Sequence, residues 1–90
     1  MNIRKVVLEE IISVLNTQIK KNIRNVTFRH INKNSSLPLN KRSKTNFLWR
    51  ALRFLCNNGF IEISESKRYY ILPKNELLLN KIMEIDIKYS

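Results

Sequence analysis

The sequence predicts a single small α+β domain, mostly helical, in which a three-helix core is followed by a β-hairpin and a C-terminal helix. Three observations carry this. Leu8, Ile11, Ile12, Leu15 and Ile19 recur at helical spacing near the start, and Leu48, Ala51, Leu52 and Leu55 do so again in mid-chain. The second stripe ends at the only glycine in the chain, Gly59. Directly after it the period changes to that of strands. Ninety residues make one domain, 1–90, able to bury roughly 60–65% of its unfolded surface. A hydrophobic fraction of 43% supplies a packed core despite the charge.

The first helix is predicted over residues 3–23, with Glu9-Glu10 early and Lys20-Lys21 late, as the helix dipole favours. Ile3, Val7 and Val14 widen its apolar stripe, so either the core wraps around it or a partner covers the excess. Asn25 or Thr27 can cap a second helix over 26–33, with Phe28 and Ile31 inward. Asn34-Ser35-Ser36-Leu37-Pro38-Leu39 is a connection, because Pro38 pushes Leu37 out of the helical region. The third helix is predicted over 40–58. With Asn58 as C-cap and Gly59 beyond it, Phe60 and Leu55 become the pair that meets in a Schellman ending. Phe60-Ile61-Glu62-Ile63, a Ser64-Glu65-Ser66-Lys67 turn and Arg68-Tyr69-Tyr70-Ile71-Leu72 then form a hairpin over 60–72. Pro73 can open a last helix over 74–88, with Leu78, Ile82 and Ile85 on one face. That helix either seals its own core or joins helix 3–23 in a homodimer seam.

Charge is segregated. The net charge is +10 at a pI near 10.2, and no acidic residue lies between Glu10 and Glu62. Lys20, Lys21, Arg24, Arg29, Lys33, Lys41, Arg42, Lys44, Arg50 and Arg53 all fall in that interval and account for the whole excess. Such a field attracts polyanions. On the third helix Thr45, Asn46, Trp49, Arg50 and Arg53 lie off the apolar stripe with no carboxylate among them.

Enzymes and metal sites are poorly served. Cys56 and His30 are the only residues of their kinds, too few for a four-ligand zinc site and without an orienting acid for a nucleophile pair. One glycine excludes a glycine-rich phosphate loop. The chain is therefore expected to be no enzyme, with no cofactor, no metal and no small-molecule substrate. A lone cysteine fits a reducing compartment, no segment approaches the roughly 18 apolar residues of a membrane span, and Glu9-Glu10 cuts off Val6-Val7-Leu8 as a leader. A cytoplasmic protein is expected.

Three helices, a glycine, a hairpin and a further helix are similar in order to the winged-helix variant of the helix-turn-helix. The run Leu48-Trp49-Arg50-Ala51-Leu52-Arg53-Phe54-Leu55-Cys56-Asn57-Asn58-Gly59-Phe60-Ile61-Glu62 looks like that family's recognition helix and its exit into the wing. The resemblance covers roughly residues 5–72. It departs from the family in the long connection Asn34 to Leu39 and in Glu65 at the wing tip. It implies that Lys44, Thr45, Asn46, Trp49, Arg50 and Arg53 face base edges and phosphates, with Lys67 and Arg68 on the wing. The chemistry agrees, since Arg pairs with guanine, Asn with adenine, and Lys or Thr holds phosphate.

The first functional expectation is a duplex-DNA-binding transcriptional regulator. Helix 40–58 enters the major groove while Lys20, Lys21, Arg24, Arg29, Lys41, Arg42 and Lys44 hold flanking phosphates. Two alternatives stand beside it: a structured-RNA or ribosome-associated protein, and a protein-interaction module using Phe47, Trp49 and Phe54. Trp49 itself either packs on the wing or a neighbour or stacks on a base, and Phe47 and Phe54 form a core edge or a contact strip.

Overall fold

The computed structural model describes residues 3–74. In chain order these form α1 (Ile3–Lys20), β1 (Asn25–Val26), α2 (Phe28–Asn34), α3 (Lys41–Asn57), β2 (Glu62–Ile63) and β3 (Tyr70–Ile71). The result is a small α+β domain of three helices and one three-stranded antiparallel sheet ordered β1-β3-β2. The helix expected over 74–88 lies, but for Lys74, outside the described residues, and with it the second half of the expected dimer seam.

α1 stops at Lys20, three residues short of the expected boundary, and the reason is Asn22. Asn22 takes a left-handed φ of 62°, its N–H donates to the Ile19 carbonyl at 2.9 Å, and the Ile23 N–H donates to the Gln18 carbonyl at 3.0 Å. This is a Schellman ending built on asparagine, the residue after glycine best suited to that conformation. It frees Asn25 and Val26 to pair with Ile71 and Tyr70, a third strand that the hairpin reading lacked. The Leu72 N–H donates to the Arg24 carbonyl at 2.7 Å and extends the ladder.

α2 is capped by Thr27, whose Oγ1 accepts from the His30 N–H at 3.1 Å. α3 begins after Asn40, whose Oδ1 accepts from the Ser43 N–H at 2.8 Å. Its far end is the Schellman motif expected at Gly59. Gly59 has φ 76°, its N–H donates to Cys56 at 3.1 Å, and the Phe60 N–H donates to Leu55 at 2.9 Å.

The core gathers Leu8, Ile11 and Leu15 from α1, Ile31 from α2, Leu48, Ala51, Leu52 and Leu55 from α3, and Val26, Ile61, Tyr70 and Leu72 from the sheet. Burying each large aliphatic side chain contributes about 1.5–3 kcal/mol. Val7, from the widened side of the α1 stripe, joins this core, and Val14 is buried as well. Phe47 and Phe54 pack on its edge. The outcome is that α3 keeps one face in the core and holds the opposite one in solvent, beside the hairpin.

Candidate functional site

The outward face of α3 follows from its period. Setting Leu48, Ala51, Leu52 and Leu55 inward places Arg42, Asn46, Trp49, Arg50, Arg53 and Asn57 on the other side, and all six are exposed. No carboxylate stands among them. Trp49 is 45% exposed yet not loose, because its ring stacks on Phe28 of α2 with centroids 4.8 Å apart and planes 19° from parallel. The indole thus packs on a neighbour, Phe28, while part of it stays open to solvent. The Arg50 guanidinium sits 6.0 Å over the Phe47 ring, within cation–π range.

The hairpin brings its basic residues to this face unequally. Ser64 organises the turn: its carbonyl accepts from the Lys67 N–H at 2.8 Å, and its Oγ accepts from the Arg68 and Tyr69 N–H groups at 3.2 and 3.3 Å. Lys67 takes a left-handed φ of 60° there. It lines, with Trp49 and Arg53 of α3, a groove of about 240 Å3 between helix and hairpin. Arg68 stays exposed at the turn.

At the start of α3 a second basic feature forms. Arg29 and Lys33 of α2 and Lys41 and Lys44 of α3 line one open depression, next to a helix N-terminus whose dipole also favours anions. Lys33 was absent from the expected contact set and joins it here. Lys44 differs from its neighbours: it is half-buried, and its Nζ donates to the Asn32 carbonyl at 2.7 Å. It ties α3 to the last turn of α2, sharing the Asn32 carbonyl with the Ser35 N–H at 3.4 Å. Thr45 is likewise half-buried and its Oγ1 donates to the Lys41 carbonyl at 3.0 Å.

Lys20, Lys21 and Arg24 do not join these groups. Arg24 lies beside Gly59 and Pro73, at the end of α3 opposite Lys41, and a 17-residue helix is about 25 Å long. Its Nε donates to the Leu72 carbonyl at 3.1 Å. Lys20 lines a depression along α1 with Glu9 and Asn16. His30 is half-buried with Nε2 enclosed and without a hydrogen-bond partner among the described residues, because it stands only a quarter-turn from the core residue Ile31.

Cys56 and Tyr70 border the same groove as Trp49. Burial pushes the Cys56 thiol up, and burial together with the nearby Cys56 pushes Tyr70 up to about 12, so both stay neutral at physiological pH. That is the opposite of an activated nucleophile. Asn57 and Ile63, also on the groove, were not among the expected contacts. Asn57 was visible in the helical period, four residues beyond Arg53. Ile63 was not, because a two-residue strand carries no alternation.

Compared with known protein families, curated proteins and solved structures, the chain matches none. Among the described residues no helix is long and apolar enough to cross a membrane.

Proposed function

We propose that the chain is a winged-helix transcriptional regulator that binds duplex DNA, with α3 in the major groove, the β2–β3 hairpin as its wing, and the depression at the start of α3 on the phosphate backbone. Three helices followed by a glycine and the β2–β3 hairpin are the order on which the resemblance to that family rests. The observation that carries the reading is the exposed row Arg42, Asn46, Arg50 and Arg53 on one helix face, free of acids and flanked by Lys67. An α-helix fits the major groove, and this row carries both residue types that make bidentate contacts to base edges.

Two substitutions test it. Arg50→Ala is expected to cost roughly 1–3 kcal/mol on a selected site and to relax its preference, whereas Lys41→Ala weakens all duplexes similarly and lowers the salt slope by about one. Small and equal effects from both contradict groove insertion. Tighter binding to folded RNA than to duplex DNA at equal salt contradicts the choice of polymer.

A further inference from the structure

The groove between α3 and the hairpin is not explained by an uninterrupted duplex. Among the described residues the large exposed apolar side chains are Ile23, Trp49 and Ile63, and the last two stand together on this groove. Tyr70, buried, and Cys56, half-buried, supply further apolar surface. The Arg53 and Lys67 cations and the Asn57 amide complete the lining. At about 240 Å3 it falls below the roughly 300 Å3 at which pockets for whole drug-sized ligands begin. An apolar slot edged by two cations and an amide suits a flat, uncharged ring system attached to an anionic chain.

A nucleobase meets that description only when unpaired, because a base inside a duplex has both faces covered by its neighbours. An aromatic side chain gains about 1–3 kcal/mol from one stacked base, whatever the base. Trp49 is prepared for this: Phe28 holds the indole in place, so little side-chain freedom remains to be lost. Asn57 offers both a donor and an acceptor to a base edge, and Arg53 and Lys67 stand where flanking phosphates would run. The slot is also continuous with the outward face of α3, so one polymer reaches both.

We infer that this groove receives one unpaired nucleobase, so that the protein prefers duplex DNA carrying a looped-out nucleotide over the same duplex without it. The inference rests on the duplex-binding reading above, and the test separates the two. The full chain is titrated, at one salt concentration, into a labelled blunt duplex and into the same duplex with a single-thymidine bulge, read by fluorescence anisotropy. The bulged duplex is expected to bind about tenfold tighter. In Trp49→Ala the ratio of the two affinities falls to about one, and in Trp49→Phe most of it persists. Circular dichroism checks that each variant folds; should Trp49→Ala fail, Ile63→Ser, on the hairpin strand β2 that borders the slot, is expected to shrink the ratio as well. A ratio of one in the unmodified protein, or a preference that survives Trp49→Ala, overturns the inference and leaves duplex binding standing. Absence of binding to either DNA overturns both.

Discussion

Single basic residues on this surface have different tasks, and Lys41 and Lys44 show it best. They are one turn apart, yet Lys41 is exposed while Lys44 donates to the Asn32 carbonyl. A net hydrogen bond from a charged donor contributes about 1.5–3 kcal/mol where it is well sheltered, and half-burial places Lys44 near the lower end. Lys44→Met should therefore lower the urea midpoint, while Lys41→Met leaves it in place. Tyr70 offers a pH test. Its hydroxyl ionises near 10 when unfolded and at about 12 in the fold, so above pH 10 the unfolded chain loses its proton first. Stability is intact below that point and falls as pH rises from about 10 to about 12. Urea midpoints compared at about pH 9 and about pH 11 should show the drop, and Tyr70→Phe should lessen it.

At the level of elements, helix ends decide the architecture. Gly59 has open space where a Cβ would go, so Gly59→Ala should cost only the backbone penalty, about 1 kcal/mol. Asn22→Ala should cost a similar amount, whereas Asn22→Gly should be neutral or stabilising; thermal unfolding measures both. In the core, Leu52→Ala should cost about 2–5 kcal/mol. These positions also show what could be read from the chain alone. Gly59, Leu55 and Phe60 were recognisable because glycine after an apolar stripe has one common use. Asn22 is not recognisable in that way, since asparagine serves caps, turns and surfaces alike, and so the helical pattern runs past the end of α1 and hides β1. Two residues, Asn25 and Val26, hold no periodicity; only pairing with β3 makes them a strand. Likewise Phe28 was foreseen as inward, but its stack on Trp49 depends on how α2 meets α3, which no local pattern encodes.

For the molecule as described, the basic residues between Glu10 and Glu62 are not spread evenly. Arg29, Lys33, Lys41 and Lys44 line the depression at the start of α3 and Arg53 joins Lys67 on the groove, whereas Lys20, Lys21 and Arg24 line neither. The sequence showed the excess of charge but not this division, because sequence distance says nothing about which end of α3 a residue reaches. Only the first set adjoins groups able to read bases. The most direct measurement uses the single tryptophan, Trp49, as reporter: its fluorescence is titrated with duplex DNA over a series of salt concentrations. Log affinity is expected to fall steeply with log salt, with a slope of about −4.5 for five neutralised phosphates, and the indole signal should change at every salt. A slope near zero, or DNA binding by gel shift that leaves Trp49 unchanged, would contradict a DNA-binding face on α3.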